Sequence, residues 1–306
     1  MERIDVKVGF QCNNHCVFCI QGNKREHYKD RTEDEIKNIL EQGRDEGKEA
    51  VVFTGGEPTF RPKLLLQCVK HAKDIGYRVI QIQSNGRMFA YKDYCEQIVR
   101  AGANEFSPAV HGSVAAIHDR LTDAPGSFDQ VTKGITNLKS LRQYVLTNSV
   151  VTKINMEDIP NLARLLVGLH VDQFQFAFIH INPIIAGDPK LIEEIIPSMA
   201  LAMPYIKAGL DVGIESGVKC MTEAIPYCMM KGYENLIAER IIPESHVFDA
   251  EDDIEKYSEY RQNEGKSKGP RCLSECAMNS VCEGPWREYP QLFGWQEFEP
   301  APENKS

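Results

Sequence analysis

The 306-residue chain is acidic, with 44 Asp and Glu against 35 Lys and Arg and a formal net charge of -9, so no global field draws it to nucleic acid or to an anionic membrane. Its apolar stretches at 163–169 and 199–206 are too short or too interrupted to cross a bilayer, and the Met-Glu-Arg-Ile-Asp start lacks the basic and apolar regions of a signal peptide. The expected compartment is cytoplasmic, with neither nucleic acid nor membrane as partner.

A strand at 4–10 runs directly into Cys-Asn-Asn-His-Cys-Val-Phe-Cys at 12–19. The next segment, 32–47, has the apolar spacing of a helix, and Thr32 with Glu35 forms a capping-box pair worth ~1 kcal/mol. A strand at 51–54 leads into Thr-Gly-Gly-Glu-Pro at 54–58, and a helix follows at 62–75. Strand 77–83 ends at Ser84-Asn85-Gly86, followed by helix 92–101, strand 105–110, helix 128–141 and strand 144–152. Helix 159–169 carries Pro160 in its first turn, where no amide hydrogen bond is needed, and strand 172–180 is the sixth. Strands and helices alternating in this way predict a parallel sheet. We expect an α/β fold, a partial (β/α)6 TIM-like barrel, whose site lies in the loops after the strands' C-terminal ends.

A longer helix at 191–208 and a short strand at 210–214 come next. Residues 236–271 are rich in charge and read as a weakly ordered connector, with Glu-Asp-Asp at 251–253 and Gly-Lys-Ser-Lys-Gly-Pro at 265–270. The cysteine-rich remainder reads as a small module held together by metal. The expected division is a core at 1–215 and a C-terminal module at 216–306.

Ten cysteines in a reducing compartment do not form a disulfide framework. Cys12, Cys16 and Cys19 place three thiolates in eight residues, one fewer than an iron-sulfur cube or a closed zinc site needs, so unless another residue fills the gap one metal keeps an open position. Cys228 with Cys272, Cys276 and Cys282 (CX3CX5C) supplies four ligands from two segments, and Cys220 is a fifth candidate. Four cysteines alone also suit a structural zinc. Cys68 and Cys95 fall on helix packing faces and read as inert.

The CX3CX2C spacing followed by Gly-Gly-Glu-Pro, each after a strand, resembles the radical S-adenosylmethionine (radical SAM) enzymes over roughly residues 4–215. The resemblance implies a 4Fe-4S cluster on Cys12, Cys16 and Cys19, with S-adenosyl-L-methionine chelating its free iron. It places Phe18 beside the adenine, Gly55 and Gly56 against the methionine amino group with the charge of Glu57 nearby, and Ser84 at the ribose or carboxylate, a plain turn at 84–86 being the alternative. Asn148 matches a polar position near the cofactor; a buried asparagine fixing a loop is the alternative. The fourth strand departs from the pattern, because Ala109 stands where a serine is frequent; Ser107 lies on the same face. His111 at the end of that strand reads as structural or pocket-facing, and His180 and Asn182 are candidates to line a substrate chamber. No catalytic side chain is assigned.

The C-terminal cysteines look like the twitch or SPASM auxiliary-cluster module of the same enzymes, in its smaller form, with a second 4Fe-4S cluster under Gly284-Pro285-Trp286 and Tyr289. The implied activity is reductive cleavage of S-adenosylmethionine, with electrons from a flavodoxin- or ferredoxin-type donor. The resulting 5'-deoxyadenosyl radical takes hydrogen from an unidentified small-molecule or peptide substrate. A chain that starts at the first strand favours a small molecule or a separately presented peptide. The tail, Glu-Phe-Glu-Pro-Ala-Pro-Glu, lacks the glycine and arginine ending of the cofactor-cyclising enzymes. The rival reading is a non-enzymatic iron-sulfur electron carrier or a zinc-stabilised binding module, which has no use for the motif at 55–58.

Overall fold

The computed structural model describes residues 2–250 and 252–302. Glu251 of the acidic triplet and Glu303 of the tail motif lie outside them. Seven strands, β1 (Arg3–Gly9), β2 (Ala50–Gly55), β3 (Val79–Ser84), β4 (Glu105–Pro108), β5 (Tyr144–Val151), β6 (Gln173–Phe178) and β7 (Lys219–Glu223), lie side by side in chain order. All seven run parallel. β8 (Ser245–Phe248) adds in parallel to the other edge of β1, and β9 (Asp253–Ile254) turns back antiparallel on β8. The sheet is open, and helices connect successive strands as a βα repeat requires.

Side-chain alternation decides which face is which. On β1, Ile4, Val6 and Val8 are almost wholly buried beneath the helices, while Asp5 and Lys7 point to the opposite, inner face. The register carries that face across the sheet: Asp5 lies opposite Val52, Val52 opposite Gln81, and Gln81 opposite Glu105. Ser107, Asn148, Gln175 and Glu223 continue it through β4 to β7. A polar inner wall therefore backs on an apolar helical layer.

The capping box forms as expected, with the Glu35 amide donating to Thr32 Oγ1 at 3.3 Å and the Thr32 amide to Glu35 Oε2 at 2.6 Å. Three expectations change. Residues 210–214 are not a strand but the end of the helix Met199–Glu215, and the seventh strand is β7. The five residues Leu-Asp-Val-Gly-Ile are too few to distinguish the two periods. The helix is fixed by close packing on β6, where a Cβ on Gly209 would come within 2.9 Å of Phe176 and one on Gly213 within 2.7 Å of Phe174. The expected helix at 191–208 is split into Pro189–Ile195 and Met199–Glu215, because Ser198 caps the second by accepting from the Leu201 amide. A further helix, Ala115–Thr122, lies between β4 and the helix at 127–140.

The third correction concerns the connector at 236–271, whose described residues form β8, β9 and short helical turns rather than an irregular link. All four residues of β8 are buried, and the surrounding charges are paired. Lys24 Nζ meets Asp249 at 2.8 Å, Arg261 grips Glu283 through two bonds of 2.6 Å, and Ser258 bonds to Glu244. His246 lies between Glu46 and Asp253 with a side chain only 4% exposed. Part of the high charge thus reflects pairing against the barrel edge, while Asp252, Glu255, Lys256, Glu259 and Glu264 stay exposed.

His246 makes β8 sensitive to pH. Burial lowers its pKa, but the hydrogen bonds and charges of Glu46 and Asp253 outweigh burial and hold it above the ordinary value. A raised folded-state pKa gives stability that is complete below about pH 6.5, the unfolded value, and is lost as pH rises through the folded one. Hydrogen exchange of the 245–248 amides, corrected for intrinsic rates, should therefore lose protection above neutral pH. In His246→Gln that dependence should vanish, and a wild-type slope of the opposite sign would refute the assignment.

Candidate active site at the C-terminal ends of the strands

The three-cysteine loop leaves the end of β1, and two backbone crossings hold it. The amide of Gly56 donates to the Gly9 carbonyl and that of Glu57 to the Gln11 carbonyl, both at 2.8 Å. A Cβ on Gly56 would lie 2.4 Å from the Phe10 oxygen, and one on Gly55, whose φ is +120°, would lie 2.2 Å from the Gly9 oxygen. Real Cβ atoms do not approach so closely, and Gly55 also has a φ that favours glycine. The glycine pair thus seats the turn after β2 directly on the cysteine loop.

Glu57 is fully buried and accepts from the Thr59 amide at 2.9 Å, the Thr59 hydroxyl, Ser84 Oγ at 2.8 Å and the Asn85 amide at 2.6 Å. Burial nonetheless raises its pKa, with those four bonds opposing. Ser84 Oγ also accepts from the Gly86 amide at 2.9 Å, so its hydroxyl is engaged within the protein and ties β3 to Glu57. Asn85 Nδ2 reaches Asn13 Oδ1 at 2.6 Å, and Arg87 Nη1 donates to Asn14 Oδ1 at 2.9 Å. These contacts brace the loop from β3. The Asn182 side chain braces its far end, donating to the Cys19 carbonyl at 3.0 Å while capping the short helix Pro183–Ala186.

The thiols of Cys12, Cys16 and Cys19 are all free and partly exposed. Burial, then the adjacent thiols of Cys19 and Cys12, pushes Cys16 up; burial also raises Cys12, against the Asn14 amide. Phe18 is buried with its ring edge-on to His111 at 4.7 Å. His111 is a structural residue: Nδ1 accepts from the Val150 amide at 3.2 Å, and its carbonyl accepts from Asn155 at 2.8 Å. Asn148 pairs in register with Ala109, and its Oδ1 is buried without a hydrogen-bond partner. An orphaned acceptor on the inner face fits a ligand that brings a donor. The seated turn, the three thiols and this acceptor together fit the implied cofactor pair.

The second thiol group is also brought together. Cys228, Cys272, Cys276 and Cys282 line one pocket, with Tyr227 and Lys268 at its wall. Burial, then the thiols of Cys282, Cys272 and Cys276, pushes Cys228 to about 12. Cys220 stands apart, buried, with Sγ 3.5 Å from the Leu210 carbonyl. Cys68 and Cys95 are buried in their helices. Of the four residues expected to cover the cluster, Gly284 and Pro285 line the pocket and Trp286 and Tyr289 do not; Phe298 and Pro300 complete the wall. Trp286 donates to the Phe178 carbonyl at 3.1 Å and stacks on His180 at 4.2 Å, while Tyr289 accepts from the Met199 amide at 2.6 Å. Both residues anchor this segment to the barrel. Among the described residues, no three Cys, His, Asp or Glu side chains converge on the position of a single ion.

A family model described as the Radical SAM superfamily matches residues 6–166, more than half of the chain. The chain belongs to the radical SAM superfamily. An AdoMet-dependent heme synthase of Methanosarcina barkeri is 29% identical over 150 residues, 48% of this chain and 42% of that protein. A probable GTP 3',8-cyclase of Saccharolobus islandicus is 27% identical over 211 residues, 66% of each. The match thus spans less than two thirds of either relative. A crystal structure of Streptococcus suis SuiB bound to precursor peptide SuiA superposes with a TM-score of 0.68 at 17% identity, covering 92% of this chain and 71% of that one, which supports the partial-barrel fold. Radical SAM relatives are enzymes, and membership disfavours the carrier and zinc-module readings.

Sequence reasoning missed a buried ionic group on this radical SAM barrel. Lys266 Nζ is fully buried, 3.6 Å from Glu239 Oε1 and 4.0 Å from the centroid of the Trp286 ring, without a hydrogen-bond partner. Burial lowers its pKa while Glu239 and Glu223 oppose, and burial raises Glu223. Nothing in Gly-Lys-Ser-Lys-Gly distinguishes this lysine from a solvated one. The Asn13 and Arg87 braces also lacked a signal, because their spacing matches no periodicity.

Gly56→Ala tests the seating of the turn. The added carbon should cost about 1–3 kcal/mol of stability, as overpacking does, and lower the iron retained after reconstitution. A denaturation midpoint and iron content equal to wild type would show that the crossing is not tight.

Proposed function

We propose that the chain is a radical SAM enzyme holding a 4Fe-4S cluster on Cys12, Cys16 and Cys19 and S-adenosyl-L-methionine beside it. When bound, this pair supplies a 5'-deoxyadenosyl radical by one-electron cleavage of the carbon-sulfur bond. The protein's own work is positioning and exclusion of water. Gly55 and Gly56 bring the turn backbone to the cysteine loop, and Glu57 fixes β3 to that turn through Ser84 and Asn85. Asn148 offers an acceptor from β5, and Phe18 supplies an apolar side. The observation that carries the reading is the locked crossing of the Gly-Gly-Glu turn on a loop with three free thiols.

Cys228, Cys272, Cys276 and Cys282 hold a second 4Fe-4S cluster in this reading, within a twitch- or SPASM-like module at 216–306 whose first strands, β7 and β8, extend the sheet of the core at 1–215. Four thiols lining one pocket supply the ligands of a 4Fe-4S cluster, and the radical SAM core beside them favours that cluster over a zinc ion. The substrate is a small molecule or peptide that meets the polar inner wall. SuiB, bound to a precursor peptide, shares the fold and lends weight to a peptide. A flavodoxin- or ferredoxin-type protein supplies electrons. The compartment is the cytoplasm, in keeping with the absence of a membrane-crossing helix among the described residues.

Anaerobic reconstitution with iron and sulfide, then addition of dithionite and S-adenosylmethionine, should yield 5'-deoxyadenosine. Replacing Cys12, Cys16 and Cys19 together by Ala should remove about four irons and all cleavage while leaving the second cluster's spectrum. Unchanged iron after that substitution, or no 5'-deoxyadenosine from wild type with both clusters present, would return the chain to the carrier reading.

A further inference from the structure

Residues 23–31, Asn-Lys-Arg-Glu-His-Tyr-Lys-Asp-Arg, set four cations against two carboxylates on a chain of net charge -9. The neighbouring carboxylates are already engaged: Asp249 with Lys24 at 2.8 Å, and Asp30 with the Phe10 amide at 2.8 Å. Among the described residues, Arg25, Lys29 and Arg31 form no ion pair with a carboxylate. The segment is tied to the cysteine loop, because Arg25 Nη1 lies 3.1 Å from His15 Nδ1 and the Arg25 carbonyl accepts from Gln11 Nε2 at 3.3 Å.

Beside this basic segment lies an apolar spot. Ile20, next to Cys19, is 62% exposed and Ile184 is 48% exposed; a Cβ on Gly22 would lie 2.7 Å from Ile184 Cδ1, so the loop packs there. An exposed apolar centre with a charged rim is the anatomy of a protein interface.

We infer that this face docks a small acidic one-electron carrier protein. The inference rests on the function proposed above, and the exchange is simple: the carrier loses one electron and the group held by Cys12, Cys16 and Cys19 gains it. A protein partner covers about 800 Å² per side, so it reaches beyond the two isoleucines onto the basic segment. A nucleic-acid strand would instead run on from the patch over a surface that is acidic overall. Charge complementarity of this kind acts mainly on association rate and weakens with salt.

The test is anaerobic stopped-flow reduction of the reconstituted enzyme by the hydroquinone of an acidic flavodoxin, read from bleaching of the iron-sulfur absorption. Photoreduced deazariboflavin, a small donor that needs no docking face, is the control. Lys29→Glu should slow the flavodoxin reaction about threefold at low salt and Glu26→Lys should speed it by a similar factor, with both differences lost at high salt. Deazariboflavin rates should be the same for all three proteins. Equal flavodoxin rates at low salt, or changes that deazariboflavin shows equally, would overturn the docking face. So would binding of a single-stranded oligonucleotide that Lys29→Glu abolishes without altering flavodoxin reduction. The two claims separate cleanly: 5'-deoxyadenosine formed with dithionite sustains the proposed function whatever flavodoxin does, whereas none formed ends both.

Discussion

Where the end of β2 crosses the start of the cysteine loop, the amides of Gly56 and Glu57 donate to the carbonyls of Gly9 and Gln11, with no space between the chains for a side chain. Almost every other contact of the site is arranged around that crossing. The buried carboxylate of Glu57 extends it to β3 through Ser84 and Asn85, and Asn85 and Arg87 extend it back to the loop. The glycines therefore serve chain against chain as much as chain against ligand. A site built this way is rigid before any ligand arrives, which is what positioning chemistry demands.

The ionic residues of the late segment show how charge can mislead. In a sequence, a run such as Glu-Ser-His-Val-Phe-Asp-Ala looks like solvated surface, but in the fold His246 and Asp249 each face a fixed partner of opposite sign. Arg261 with Glu283 and Lys266 with Glu239 lie deeper still. Buried ions cost stability unless paired, so this density of pairing is the condition for the segment to be ordered at all.

The legible parts of the molecule were those governed by short-range rules. The apolar alternation of β1, the Thr32 capping box and the glycine turn after β2 each depend on a few adjacent residues, and each lies where its pattern indicated. Long-range contacts were not legible. Whether 210–214 forms strand or helix depends on Phe174 and Phe176, some forty residues earlier, and whether Trp286 covers thiols or the end of β6 depends on His180 and Phe178. The thiol grouping at the C-terminus lay between these cases. CX3CX5C drew Cys272, Cys276 and Cys282 together, but only packing separated Cys228 from Cys220.

The strand order has a kinetic corollary. β1 gains β2 as a neighbour early, but its other neighbour, β8, comes roughly 200 residues later, which at ribosomal speeds is a wait of roughly 10–40 s. During synthesis the strand that carries the cysteine loop thus has one bare edge, open to mispairing with a second nascent chain. Until Ser245–Phe248 emerges, that side of Arg3–Gly9 is an unpaired template along the nascent sheet.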